Sequence, residues 1–360
     1  MTPAYDAPPQ GVGTPVARRV ANPVVAAVIA CYRDAEAVRE MHARLTAAFT
    51  EASVEYRIVF VNDRSPDDAA DRILEISARD PRVIGITHSR NFGSQAAFLS
   101  GMSAVDADAY VLLDGDLQDP PEMIPSFIAL WRMGWDVVYG RRVNRDTSWL
   151  MNRAYRMFYR LFRWASPFEI PRDAGDFSLM DARVVQAVVS FPERDLFLRG
   201  LRAYVGFRQV GVDYVRPERP YGRSTNSIVR NIGWATTGIL SVSRVPLRFL
   251  TGTSIVLGLA ALLLLVVQLF LKLFAPGIAP PGTVTILGAI ILLGSLNLLA
   301  VGVVGEYLGR VFDEVKRRPR FIRESVIRDG RVESLDNTAG DELQGFGASS
   351  NGDSDESGVM

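Results

Sequence analysis

The sequence predicts an α/β fold with a mostly parallel sheet, followed by two transmembrane helices. Three observations carry this expectation. Short β-rich runs alternate with helix-compatible segments as far as Tyr139, the pattern of strands joined by crossover helices. Polar groups gather just after those runs, where open α/β sheets collect their ligands. Further on, Phe249–Leu271 and Thr283–Val304 run for 23 and 22 residues without a formal charge.

The elements follow in chain order. Residues 1–22 are rich in Pro, Gly and Ala, lack the apolar core of a signal peptide, and read as a flexible leader. Val24–Ile29 and Tyr56–Val61 are apolar runs of buried-strand type, and Val83–Ile86, Ala109–Leu113 and Trp135–Tyr139 continue the series. Glu36–Glu51 and Pro66–Arg79 supply intervening helices. Asn62-Asp63, Asp114-Gly115-Asp116 and Gly140-Arg141-Arg142 all fall at the carboxyl ends of strands. Ser148–Ala165 differs in character. Arg153, Arg156, Arg160 and Arg163 recur at helical spacing among large aromatics, which predicts a basic helix lying in a membrane interface. A helix packed on the sheet with a solvated Arg face is the simpler alternative. A second such element, Ser227–Arg248, leads into the first apolar span.

Each span exceeds the length that crosses ~30 Å of hydrocarbon. Arg244 and Arg248 precede the first, and Arg310, Lys316, Arg317, Arg318 and Arg320 follow the second, against Lys272 alone between them. The positive-inside rule then places the large domain and both termini in the cytoplasm, under the plasma (inner) membrane. Gly288, Gly294 and Ser295 are small residues that permit close helix packing and a homo-oligomer.

Composition narrows the partners. Forty basic and forty acidic residues cancel, but Val332–Met360 holds seven acids and no base and reads as a disordered tail. The remaining body is basic, which suits anionic partners and membrane lipids; no nucleic acid is expected. Cys31, the single cysteine, excludes an intramolecular disulfide and argues against a Cys-based zinc cage.

The stretch Asp114-Gly115-Asp116-Leu117-Gln118 follows the fourth strand and precedes Pro120-Pro121. Side chains at alternate positions of an extended segment point the same way. Asp114, Asp116 and Gln118 would thus present oxygens on one side, suited to a hard cation such as Mg²⁺ or Mn²⁺ shared with substrate phosphates. A polar turn closing the strand is the plainer reading of Asp-x-Asp taken alone.

Together these residues resemble the family-2 glycosyltransferases that use a polyisoprenyl phosphate as acceptor. The bacterial membrane-anchored branch, with bactoprenol glucosyltransferases and undecaprenyl-phosphate aminoarabinose transferases, is the best match; dolichyl-phosphate mannose synthases are more distant. The resemblance runs from Val24 to Pro319. Its most specific pieces are Ser89-Arg90-Asn91-Phe92-Gly93, the run from Asp114 to Glu122, and Gly175-Asp176-Phe177-Ser178-Leu179. Arg199-Gly200-Leu201 and the runs 205–209, 305–310 and 314–319 add to them.

The resemblance implies a GT-A-like nucleotide-binding domain over 23–226, then a juxtamembrane segment (227–248), a membrane hairpin (249–305), a basic cytoplasmic segment (306–331) and the acidic tail (332–360). Ala30, Tyr32 and Asp34 would form the first nucleotide-contacting loop, and Asp63 would meet the base or ribose. Asp114 would face ribose and metal, and Asp116 and Gln118 would ligate the metal. Arg219, with Gly222 and Ser224, would bind the donor diphosphate. Arg141 and the basic helix after it would receive the lipid phosphate, and Arg142 and Arg145 are placed to assist by charge-assisted bonds. Asp176 would orient the acceptor or sense the sugar, a helix N-cap being its structural alternative.

The expected activity is metal-dependent, inverting transfer of a sugar from a nucleotide-sugar, most commonly a UDP-sugar in this family, to undecaprenyl phosphate. Departures from the family pattern are Ala30 for Pro, Arg33-Asp34 for Asn-Glu, Asn62 for the first Asp of a pair, and Thr225-Asn226 for Lys-Tyr. They bear on the base and on one cation beside the diphosphate. A processive polysaccharide synthase would need a Gln-x-x-Arg-Trp motif and a multi-helix channel, and neither is present in the sequence. An inactive nucleotide-sugar-binding scaffold that recruits a membrane partner is the other alternative.

Overall fold

Apolar runs without polar interruption fold here into strands covered on both faces. The computed structural model describes residues 21–143, 174–194, 196–217, 245–274 and 282–335. The five expected strands form as β1 (Val24–Cys31), β2 (Glu55–Asn62), β3 (Val83–His88), β4 (Ala109–Asp114) and β5 (Val137–Val143). Helices α1 (Ala35–Ala52) and α2 (Ala69–Ser77) match the two expected helical segments, and α3 (Ser94–Met102) and α4 (Ile124–Arg132) complete the crossovers. Four strands lie beyond the sequence reading: β6 (Ala174–Asp181), β7 (Gln209–Val215), β8 (Arg323–Arg328) and β9 (Arg331–Ser334).

The sheet runs β7-β5-β6-β4-β1-β2-β3-β8-β9. Only β6 and β8 run against the rest, so the sheet is mostly parallel, as expected. Helices α1, α2 and α4 cover one face over Phe49, Phe60, Phe127 and Trp131. The other face is covered by α3, α5 (Ala182–Ser190) and α6 (Leu198–Tyr204), over Phe98, Val184 and Leu201. Parallel register sets the functional rim. Ala30 lies opposite both Val61 and Asp114, and Cys31 opposite Asn62.

Two long helices follow, α7 (Val245–Phe274, 30 residues) and α8 (Thr283–Val315, 33 residues). Among the described residues, one helical segment, Leu292–Val315, is long and apolar enough to cross a membrane, and none of it is buried. The apolar stretch of α7 that qualifies is the shorter Gly252–Leu263. The expected pair of spans is therefore matched in the described residues by one.

The chain then returns to the sheet. The sequence reading assigns 323–334 to a basic segment and an acidic tail, but β8 pairs antiparallel with β3 and buries Ile327 in the core. Its sequence, Arg-Glu-Ser-Val-Ile-Arg, has no strict alternation, and its place between β3 and the edge strand β9 is revealed by pairing alone. The basic helix expected over Ser148–Ala165 and most of Ser227–Arg248 lie outside the described residues.

Candidate active site at the carboxyl rim of the sheet

The site is built where four parallel strands end. β4 stops at Asp114, and Gly115 and Asp116 turn the chain back towards β1. The Gly115 N–H donates to Ala30 O at 3.0 Å. A Cβ on Gly115 would stand 2.9 Å from that oxygen and 3.0 Å from Asp34 Oδ2, so the approach requires glycine. This contact brings Ala30 and Asp34 of the first loop against the acidic turn. Asp34 Oδ2 accepts from Tyr32 N at 3.1 Å, and the Tyr32 side chain is exposed.

The turn overrides the alternation expected from an extended chain. Leu117 takes a left-handed φ of 59° and buries its side chain to 1% exposure. Folding Leu117 into the core is what ends the strand, and the acids converge through the turn instead. Asp114 and Asp116 lie 3.8 and 3.7 Å from the same Nη2 of Arg216. The Gln118 backbone N–H donates to Asp116 Oδ1 at 3.1 Å, and its side chain donates Nε2 to Pro217 O at 3.1 Å. Asp119, inside the motif but unassigned by the sequence reading, is almost fully buried. It accepts from the Tyr214 hydroxyl at 2.9 Å and stands 4.0 Å from Arg142.

Electrostatics follow from this crowding. Burial, then the charges of Asp119, Asp116 and Asp176, push the Asp114 carboxyl up to about 8, against the pull of Arg216. Burial also raises Asp119, and burial beside Asp119 raises the Tyr214 phenol. Burial would raise Asp176 as well, but Arg199 and Arg202 hold it below the usual carboxylate range.

Asp176 is a residue of β6 and not a helix cap; the helix after β6 is capped by Asp181, which accepts from Arg183 N. Arg199 grips Asp176 through Nε at 3.1 Å and Nη2 at 2.9 Å, and Gln95 Nε2 adds a bond at 3.1 Å. Arg202 is buried behind it, donates to Gly175 O, and is lowered to about 10 by burial. Arg199 belongs to the motif Arg199-Gly200-Leu201, but its grip on Asp176 emerges only in the fold.

At the neighbouring strand ends, Arg141 pairs with Asp213 of β7, Nη2 to Oδ2 at 2.9 Å. Arg142 donates Nε to the Tyr214 hydroxyl at 3.1 Å and leaves a narrow exposed edge, 17% of its side chain. Asp63 turns inward. It is 2% exposed and accepts from His88 Nδ1 (2.8 Å), Phe92 N (2.9 Å) and Gly93 N (2.7 Å), fastening the 89–93 loop to β2. Asn62, which stands where the family has Asp, accepts from Ser65 N at 2.8 Å and closes the turn after β2. Arg145, Arg219, Gly222 and Ser224 lie outside the described residues.

The donor set fits a cation that keeps waters and substrate oxygens. Two carboxylates converge on one cationic nitrogen in a field dense enough to raise Asp114. Among the described residues no three His, Cys, Asp or Glu side chains form an all-protein cage.

Comparison with known proteins agrees with this architecture. The profile of glycosyl transferase family 2 matches residues 26–189. The chain is 36% identical over 296 residues to the uncharacterized glycosyltransferase YkcC of Bacillus subtilis, covering 82% of this chain and 91% of that one. It is 33% identical over 303 residues to a prophage bactoprenol glucosyl transferase homolog of Escherichia coli, covering 84% and 99%. With the bactoprenol glucosyl transferase of Shigella phage SfII it shares 34% over 300 residues, covering 83% and 96%. An α/β sheet of GT-A-like kind, with acids gathered at its carboxyl rim, is the setting in which such a profile match has chemical meaning. This chain belongs to glycosyl transferase family 2, beside the polyprenyl-phosphate glycosyltransferases, and is a glycosyltransferase.

Proposed function

We propose that this protein transfers a sugar from a nucleotide-sugar to a polyprenyl phosphate at a membrane surface, with inversion at the anomeric carbon. The observation that carries the reading is the convergence of Asp114 and Asp116 on one point beside the Ala30–Asp34 loop. Its similarity to bactoprenol glucosyl transferases supports a lipid carrier as acceptor; the donor assigned in this reading is a UDP-sugar.

Asp114, Asp116 and Gln118 are the groups that would hold Mg²⁺ or Mn²⁺. Such an ion, when bound, neutralises charge on the leaving nucleoside diphosphate. The protein's own residues do the rest. The turn at Gly115 and the Ala30, Tyr32 and Asp34 loop hold the nucleoside against the acids. Asp63 serves that pocket indirectly, by fixing the 89–93 loop. Arg219 and Ser224 are assigned to the diphosphate on family resemblance, and Arg216 is a further cation at the same acids. Asp176, kept ionised by Arg199, orients the acceptor or the sugar hydroxyls and does not donate a proton. The acceptor phosphate is already ionised at neutral pH, so it needs positioning more than a strong base. Arg141, Arg142 and Arg145 are assigned to that positioning, with Arg142's exposed edge the most direct candidate.

The test is a panel of sugar nucleotides with undecaprenyl phosphate and Mg²⁺ or Mn²⁺. Asp116→Ala is expected to lower transfer by about a hundredfold or more while leaving the melting temperature near wild type. Full turnover by Asp116→Ala in excess chelator would end the metal reading.

A further inference from the structure

The segment that leaves the membrane-facing helix α8 docks on the loops assigned above to the nucleotide. Arg320 is tied to the end of α5, Nη1 to Phe191 O at 2.6 Å and Nη2 to Val189 O at 3.3 Å. Phe321 lies parallel to the buried His88 ring, with centroids 5.7 Å apart and planes 11° apart. Ile322 O accepts from Ser89 N at 3.0 Å. Arg323 covers the Phe321 ring and reaches α3, Nη2 to Ser100 O at 2.6 Å and to Ser103 Oγ at 2.9 Å. Glu324 forms an ion pair with Arg64, two residues beyond the end of β2. Five consecutive residues thus touch four elements: the end of α5, the end of β3, α3 and the loop after β2.

The middle contact reaches furthest. His88 has no exposed side-chain surface, and its Nδ1 bonds Asp63, which in turn accepts the Phe92 and Gly93 N–H groups. Gly93 sits at φ 91°, a backbone open to glycine and strained for other residues. Phe321 is the ring that closes His88 on one flat face. We infer that Phe321, acting through His88 and Asp63, is a positioning residue for the donor nucleotide, so that the chain beyond α8 is part of the donor site. Glu324 does the same for the β2 loop through Arg64. The inference rests on the reading that the Asp63 and 89–93 region borders the nucleotide.

The experiment uses the full chain in nanodiscs and titrates uridine diphosphate and, separately, guanosine diphosphate with Mn²⁺. Phe321→Ala is expected to weaken the bound diphosphate and raise the donor KM by about tenfold, with the acceptor KM within about twofold of wild type. Phe321→Tyr, which keeps the ring, should restore both values. Glu324→Gln, at an exposed pair, should weaken the donor by about threefold with an unchanged melting temperature. It decides the matter should Phe321→Ala fail to fold. Wild-type protein that binds neither diphosphate would overturn the pocket reading, and this inference with it. Wild-type binding matched by Phe321→Ala or, in its place, Glu324→Gln overturns the inference alone, as does a parallel rise in donor and acceptor KM.

Discussion

Asp114 shows how one residue can report on the whole rim. Its carboxyl is pushed up to about 8 by burial and by Asp119, Asp116 and Asp176. The sign of the consequence is fixed by linkage. A folded value above the ordinary 3.8 means the fold binds a proton that the unfolded chain has lost, so stability falls as pH rises from about 4 to 8. A divalent cation held by Asp114, as proposed, would replace that proton and reverse the loss. Manganese affinity should therefore drop by about tenfold per pH unit below 8. The rise in melting temperature on adding Mn²⁺ should be larger at pH 8 than at pH 6. Titration calorimetry at pH 6, 7 and 8 checks this, and Asp114→Asn should flatten the dependence. A pH-independent affinity in the wild type would show that Asp114 is not among the cation's ligands.

At the scale of elements, the C-terminal hairpin changes what can be removed. Ending the protein near Arg244 would take away β8 and β9, expose the edge of β3 and remove Ile327 from the core. Such a truncation should lose nucleotide binding along with the membrane segments. A smaller cut makes the same point. Ile327 is 2% exposed and packs among Val83, Ile73 and Ile76, so Ile327→Ala should destabilise the fold by about 2–4 kcal/mol. Gly85 and Gly330 belong to the same joint. A Cβ on Gly85 would meet Ile73 at 2.6 Å, and one on Gly330 would meet Ala78 at 2.6 Å. Chemical denaturation in detergent measures the loss; an effect under about 0.5 kcal/mol would mean the hairpin is peripheral to the cooperative fold.

For the whole molecule, the outstanding expectation is a membrane hairpin with both termini in the cytoplasm. Exposed apolar side chains along both helices, among them Leu262, Val266, Ile290, Leu298 and Leu308, are what such a hairpin would turn towards lipid. In such a hairpin, the return of β8 to the sheet that carries the candidate site would put the end of α8 on the same side of the membrane as that sheet. A cysteine introduced at Ala279 should react with an impermeant maleimide from outside whole cells. One introduced at the exposed Glu333 should react only after permeabilisation. Cys31 need not be replaced, because it is buried and its thiol is pushed well up, by burial first and then by Asp34 and Asp67. The reverse labelling pattern would overturn the topology and the use of cytoplasmic sugar nucleotides.

The strands of the parallel block were legible because each is covered on both faces, which forces a continuous apolar run such as Val24–Cys31. The acidic motif was legible because its residue types are costly to gather without a cationic partner. Asp119 and Arg216 were not, because their roles depend on contacts across the chain. Nothing local marks an arginine at the end of β7 as the neighbour of acids about a hundred residues earlier. β6 escaped because Ala-Gly-Asp-Phe-Ser-Leu has polar breaks that burial between β4 and β5 tolerates. β8 and β9 escaped because short, charge-rich strands acquire their identity by pairing. By itself, then, the sequence determined the fold class, the family and the acids at the rim, since these rest on local pattern and chemistry. Tertiary structure alone decided that a left-handed Leu117 aims those acids, that Arg199 holds Asp176 ionised, and that the last strands return to pair with β3. Those are consequences of close approach between distant segments, which no local run of residues encodes.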